Sequence, residues 1–285
     1  MRKGIICTSI GAMMKIIAHG GVGSPREMDK NVQRAIDDGV SDNIFETVVG
    51  VVSAMEDDPV FNAGTGSRIR LDGTVQMDAA VMYRGEIGAV ACIESVKNPI
   101  KVAAAIHKTP YVMLSGEGAQ SYARSIGSEE HDPRTEKRKK ELEEMRSKLH
   151  EHEELMAIYR GVDGGDTVGC VASHGGEYAA AVSTGGTSFC IRGRVGDSPL
   201  VGCGFYAGEH GAVVTTGKGE ELIKKLSAYR CYLLIPELGL KEACQRVVEE
   251  HTQGASIGVI AVGEEGIASA SNKQMSQGSL EDRSV

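Results

Sequence analysis

Gly164-Gly165-Asp166-Thr167-Val168-Gly169-Cys170 is the stretch on which the fold turns, because it is a border. To its left, residues 127–163 are crowded with charges of both signs. To its right, the apolar run from Val168 to Ala172 reads as a buried strand. A further strand follows at once, Glu177 to Ser183 after a turn at His174-Gly175-Gly176. Thr167 therefore stands where a linker meets a core strand.

Further right, glycine-rich loops follow: Thr184-Gly185-Gly186-Thr187, then Arg192 to Pro199. A strand ending in Thr215-Thr216-Gly217-Lys218-Gly219-Glu220 leads to two helices, about 220–233 and 239–251. A hairpin, Ile257 to Val262 and Ile267 to Ser271, closes the fold, and the tail from Asn272 is polar. To the left, Ile16 to Ala18 is a short strand, followed by a helix start with Ser24 at N-cap, Pro25 at N1 and Glu27 at N3. Ser41 caps the next helix, whose stripe of Phe45, Val48, Val49, Val52 and Met55 has helical spacing. After Asn62-Ala63-Gly64-Thr65-Gly66 the period drops to two. Arg68 to Leu71, Val75 to Met82 and Ile87 to Ile93 read as an antiparallel meander. An alanine-rich helix from Pro99 to His107, a strand over 111–114 and a helix over 118–125 complete this half. Residues 127–163 read as a solvated helix or linker, too polar for a core, with Glu136/Lys140 and Glu144/Lys148 spaced as ion pairs. Antiparallel sheets with helices outside define an α+β class, and both halves are expected to share one core.

Composition narrows the function. The chain has 285 residues, 41% hydrophobic and 25% charged, as in ordinary globular proteins. A net charge of -8 disfavours nucleic-acid binding. No apolar run approaches the ~20 residues that span a membrane. Seven scattered cysteines without a CxxC pair read as free thiols, so a reducing cytoplasm is the expected setting. The leading MRKGIICTSIGAMM reads as an extension, with Met14 an alternative start.

The chemistry narrows by elimination. There is no HExxH motif and no Cys/His cluster with metal-ligand spacing. There is no Gly-x-Ser-x-Gly elbow. Gly211 to Lys218 and Gly217-Lys218-Gly219 are near misses for phosphate loops, which keeps a nucleotide-binding protein as an alternative. What remains is a set of threonines at strand ends among glycines: Thr167, Thr184, Thr187, Thr215 and Thr216. Asn62, Arg194 and Asp197 lie in similar loops. Arg194 and Asp197 could clamp the carboxylate and ammonium of an amino acid, or form a local salt bridge; spacing alone leaves both open.

Seven motifs occur together in order: His19-Gly-Gly-Val-Gly23, Phe61-Asn-Ala-Gly64, Asp78-Ala-Ala-Val-Met82, Gly165-Asp-Thr-Val-Gly169, Ser183-Thr-Gly-Gly-Thr187, Gly193-Arg-Val-Gly-Asp-Ser-Pro199 and Thr216-Gly-Lys-Gly-Glu220. The chain resembles, over about residues 15–270, the plant-type asparaginase/isoaspartyl aminopeptidase family of N-terminal-nucleophile hydrolases. The resemblance implies a single αββα four-layer sandwich over 1–285. It implies self-cleavage between Asp166 and Thr167 into 1–166 and 167–285, and a dimer of the cleaved pairs. Thr167 would be the nucleophile and its freed α-amine the general base, with Thr184 orienting it. Arg194 would hold the substrate carboxylate. Asp197 and the Gly219 backbone would hold its ammonium. Thr216 and Gly217 would form the oxyanion hole, and Asn62 would lie close by on the substrate side. The substrate would be asparagine or an isoaspartyl dipeptide. No cofactor is implied beyond a structural sodium on backbone carbonyls of Glu56, Asp58, Phe61, Ala63 and Thr65. Two positions depart from the common pattern. Asp166 stands where many members have Gly, as in the glycosylasparaginase branch, and Lys218 lies between two site glycines. Glycosylasparaginase activity and a non-enzymatic amino-acid binder are the remaining alternatives.

Overall fold

The computed structural model describes residues 13–148, 166–251 and 254–284. The first strand, β1 (Met13–Val22), is longer than the three residues expected, and its His19-Gly20-Gly21 is part of the strand. A 3-10 turn, Arg26–Met28, precedes α1 (Asp29–Gly39). The expected cap does not form, because Ser24 is recruited to a tertiary contact. Its Oγ donates to Gly21 O and accepts from the Ser276 main-chain N–H. The second helix, α2 (Ile44–Asp57), is capped by Asn43 instead of Ser41; the Asn43 side chain accepts from the N–H groups of Phe45 and Glu46. All five members of its apolar stripe are buried, each contributing roughly 1.5–3 kcal/mol.

The meander begins later than its alternation suggests. β2 (Met77–Tyr83) and β3 (Glu86–Ile93) pair as a hairpin, but Arg68 to Leu71 are not a strand. Their main chain is bonded to a distant loop instead: Phe189 N donates to Ile69 O and Leu71 N to Cys190 O. Then come α3 (Pro99–Ile106), β4 (Met113–Ser115) and α4 (Gly116–Ser125). The charged segment contains α5 (Glu136–Lys148), and this corrects the view that it stays outside the core. Leu142 is buried in the main cluster, and the buried Arg138 side chain donates from Nε to Gly66 O at 2.9 Å. Lys139 rather than Lys140 is the partner of Glu136. The Glu144/Lys148 pairing and the end of the segment lie outside the described side chains.

Beyond the border come β5 (Val168–His174), β6 (Glu177–Thr184), β7 (Phe205–Gly208) and β8 (Gly211–Gly217). Three helices follow where two are expected: α6 (Gly219–Lys225), α7 (Ser227–Leu238) and α8 (Leu240–Glu249). Leu226, in the left-handed region at φ 49°, separates the first two. After β9 (Ile257–Gly263) and β10 (Gly266–Ser271), the polar tail forms β11 (Met275–Ser284) along the outer edge of β1. Its Ser, Gln and Gly content hides it from a hydrophobicity pattern.

The result is mixed α+β with two sheets flanked by helices. One sheet runs β11-β1-β5-β6-β2-β3-β4 and the other β10-β9-β8-β7. All pairings are antiparallel except β3 with β4. Between the sheets, Ile17, Val171 and Val182 pack against Phe205, Val214 and Ile260. Side chains of α1 to α4 cover the larger sheet, and those of α7 and α8 the smaller. The six described cysteines are free and buried. No described helix is long and apolar enough to cross a membrane.

Candidate active site

The register of β5 against β6 makes the first contact of the site. Val168 pairs with Ser183, so Thr167, one step before β5, meets Thr184 at the end of β6. Thr167 Oγ donates to Thr184 Oγ at 3.2 Å, and Thr184 Oγ also accepts from the Gly186 N–H at 3.0 Å. Both threonines are buried. Asn62 clasps the loop after Thr184: its Nδ2 donates to Gly186 O and its main-chain carbonyl accepts from Gly185 N. Its Oδ1 accepts from the Arg68 main-chain N–H. Asn62 thus ties the loop after Thr184 to the Arg68 main chain, with one end of its amide on each. Behind it, the buried Glu56 accepts from Ser183 Oγ and Ile100 N, and burial pushes its carboxyl up to about 8.

The charged wall comes from the loop between β6 and β7. Thr167, Thr184, Arg194, Asp197, Ser198 and Gly217 share one narrow cleft with three neighbours of the same loops. Arg194 donates through Nε and Nη2 to Glu220, at 3.1 and 3.0 Å to Oε1. Glu220 is thereby a member of the site that the sequence did not reveal. Asp197 is buried, and its Oδ2 has no hydrogen-bond partner. Burial raises its carboxyl to about 7, against the opposing pull of Arg194. A buried carboxylate oxygen without a donor beside a guanidinium suits a ligand carrying an ammonium and a carboxylate. Gly219 belongs here for steric reasons, since a Cβ would lie 2.9 Å from both Arg194 Nη2 and Asp197 Oδ1.

A second missed residue, Arg70, lies under this wall and is fully buried. Its Nη1 donates to Ile191 O and its Nη2 to Arg194 O, both at 2.9 Å. The buried Asp78 is its counter-charge, accepting from Cys92 N at 2.7 Å. Burial raises the Asp78 carboxyl to about 6, while Arg70 and Arg194 hold it down. In sequence Arg70 falls within the expected strand Arg68 to Leu71, and no motif marks it.

Thr216 and Gly217 sit at the end of β8. Thr216 Oγ accepts from Val22 N at 3.3 Å, whereas Gly217 faces the cleft directly. Thr215 is separate: its hydroxyl donates to Cys203 O, a structural contact. Lys218, half-buried, donates its main-chain N–H to Ser256 O. Among the described residues there is no group of His, Cys, Asp and Glu able to hold a metal ion.

On the other side of Thr167 stands His19, fully buried in β1. Its Nδ1 accepts from Gly21 N at 3.1 Å, which fixes a neutral ring protonated at Nε2. Burial holds its pKa down at about 3, despite the nearby Thr167 backbone. Unfolded, this histidine takes a proton below about 6.5; folded, it resists until about 3. Between those values the unfolded state binds more protons, so stability falls on acidification. The expected loss from His19 alone is about 2 kcal/mol between pH 6.5 and pH 5. Thermal melts of His19→Gln over that range should show a correspondingly shallower pH dependence than wild type.

The chain as a whole matches a known family. The family model described as "Asparaginase" matches residues 13–283, which takes in β11 as far as Arg283 and so extends beyond the segment that carries the motifs. A plant-type L-asparaginase of Pyrococcus furiosus is 41% identical over 89% of this chain and 91% of its own. One of Thermococcus kodakarensis is 45% identical over 74% of this chain and 76% of its own. An isoaspartyl peptidase/L-asparaginase of Macaca fascicularis is 38% identical over 73% and 72%. The chain belongs to the asparaginase family of that model, and is a hydrolase.

Proposed function

We propose that the chain divides itself between Asp166 and Thr167 and then hydrolyses the side-chain amide of asparagine and the isopeptide bond of β-aspartyl dipeptides. The observation that carries this is the shared cleft of Thr167, Thr184, Arg194 and Asp197. It places a buried hydroxyl within reach of groups that suit an α-amino acid. In the undivided chain the Thr167 nitrogen is an amide and cannot take a proton. Self-cleavage corrects this. Thr167 Oγ adds to the Asp166 carbonyl carbon, the C–N bond between them breaks, and the Oγ proton passes to the departing nitrogen. Water then opens the resulting ester, returning a hydrogen to Oγ and leaving Asp166 with a carboxyl terminus.

The freed α-amine titrates near pH ~7.7–8.0 and can act as general base at working pH. Thr167 Oγ attacks the substrate amide, its proton moves through the α-amine to the leaving nitrogen, and ammonia or an amino acid departs. Water resolves the acyl-enzyme to aspartate. Arg194 holds the α-carboxylate, Asp197 and the Gly219 backbone the α-ammonium. Thr216 Oγ and Gly217 N–H face the oxyanion, a term worth about 2.7–4 kcal/mol per donor in comparable sites. Thr184 aligns the Thr167 hydroxyl, and Asn62 acts on the substrate side by fixing the Gly185-Gly186 loop.

We place the two sheets and their helices in one αββα four-layer domain over 1–285, active as a dimer of cleaved pairs, in the cytoplasm. Nucleic acid and membrane are not partners in this reading. A sodium ion in the Met55–Thr65 loop is part of it. The Glu56 and Phe61 carbonyl oxygens lie where a Cβ on Gly64 or Gly66 would meet them, and backbone carbonyl oxygens are the ligands that suit a hard cation. Backbone oxygens of Asp58, Ala63 and Thr65 would complete the set, with a structural role only.

Release of aspartate from asparagine and from a β-aspartyl dipeptide tests the reading, and failure on both would refute it. A third substrate is worth assaying because of Asp166. A relative in Elizabethkingia miricola named N(4)-(Beta-N-acetylglucosaminyl)-L-asparaginase is 36% identical over 75% of this chain. Faster hydrolysis of glycosylated asparagine would move the assignment to that activity.

A further inference from the structure

The mechanism leaves Arg68 unused, yet it makes the one side-chain ion pair recorded for Asp166 among the described residues. Arg68 Nη2 lies 2.5 Å from Asp166 Oδ2. Asp166 is also the residue whose carbonyl must be attacked. Its backbone is in the left-handed region, φ 78°, which non-glycine residues adopt at a cost of order 1 kcal/mol or more. Something must therefore hold it there.

Two contacts do so. One is the close approach of Gly21, itself at φ 100°, where any Cβ would run into the Asp166 main chain. The other is the Arg68 guanidinium. Arg68 is not free-standing: its Nη1 is 3.6 Å from Glu141 Oε2 on α5, and its main-chain N–H is tied to Asn62. Helix α5 is in turn pinned on the same segment. Arg138 donates to Gly66 O and, from Nη1, to Glu141 at 3.0 Å; Arg146 Nη2 donates to Leu71 O at 2.6 Å. The charged segment thus contributes a fixed helix that backs Arg68, and Arg68 backs the residue before the nucleophile.

We infer that Arg68, braced by Glu141 of α5, is a positioning residue for self-cleavage: it holds the Asp166 carboxylate so that the Asp166 carbonyl presents itself to Thr167 Oγ. Partly exposed ion pairs contribute little to stability, so the contribution is one of geometry. The role ends with the cut. Asp166 then lies on the departing side of the bond, and the Arg68 side chain does not line the cleft. The inference rests on the self-cleavage reading above and assigns the sequence departure at Asp166 a partner.

The test is the rate at which the purified chain divides, followed by denaturing mass spectrometry. Arg68→Met is expected to slow division at least tenfold, and Arg68→Lys less. The fraction that has divided should hydrolyse asparagine with kcat and KM within twofold of wild type. Asp166→Gly removes both the carboxylate and the backbone constraint. In that background Arg68→Met should change the rate less than twofold, a result that a general folding defect would not produce. Division of Arg68→Met at the wild-type rate overturns the inference, as does equal slowing in the Asp166→Gly background. A wild-type chain that never divides overturns the self-cleavage reading itself, and the inference with it.

Discussion

Thr167→Ala is expected to remain a single chain of about 30.2 kDa and to release no aspartate above background. One hydroxyl is used twice, first to open the bond before it and then to attack substrate. Its removal blocks both steps, and the uncut chain lacks the α-amine base as well. Losses of roughly 10^4- to 10^6-fold accompany removal of a nucleophile from comparable hydrolases. Here the loss should sit at the upper end, because nucleophile and base disappear together. Thr167→Ser keeps the hydroxyl and should still divide. Mass and aspartate release, measured on the same preparations, separate the two variants. A Thr167→Ala protein that turns over asparagine would place the nucleophile elsewhere.

The second large effect concerns Asp197. Its unpartnered Oδ2 faces no protein donor, so the substrate ammonium is its partner in this account. Loss of one member of a buried charged pair costs roughly 2–5 kcal/mol, or about 30- to several-thousandfold. Asp197→Asn should show this chiefly as a higher KM, with division of the chain unchanged because that step needs no ammonium. The pH dependence follows from the carboxyl's raised pKa of about 7. Below that value Asp197 is protonated and cannot hold the ammonium, so kcat/KM should rise with pH through this region. The α-amine base contributes a limb of the same sign at slightly higher pH. In Asp197→Asn the lower limb should vanish and the upper one remain. A profile with both limbs intact would show that Asp197 does not meet the substrate.

Much of this was legible in the sequence because local signals and tertiary demands agree. The apolar stripe of α2 and the strands beginning at Val168 and Glu177 are buried for the reason their periodicity suggests. The threonine and glycine motifs mark chain ends at the cleft, where a close approach excludes larger side chains, as at Gly219. What failed did so where distant contacts outweigh local preference. Ser24 was a good cap by spacing, but Gly21 and Ser276 take its hydroxyl. Polar β11 forms because β1 has an open edge to pair with. Arg70 is buried under Arg194 and Arg68 sits against Asp166, although the stretch that holds both, Arg68 to Leu71, reads as a strand of the meander. Helix α5 looked solvated because charges dominate it, yet Leu142 and Arg138 anchor it. Nothing in one-dimensional spacing tells a buried arginine from an exposed one.

The central claim is that one peptide bond, Asp166–Thr167, is cut by the chain itself to make the nucleophile. N-terminal sequencing of the purified protein after prolonged incubation tests it most directly. The account predicts a second sequence beginning Thr-Val-Gly-Cys-Val, appearing in step with asparagine hydrolysis. Full activity from a chain with a single intact N-terminus, or a new terminus at any other residue, would contradict it.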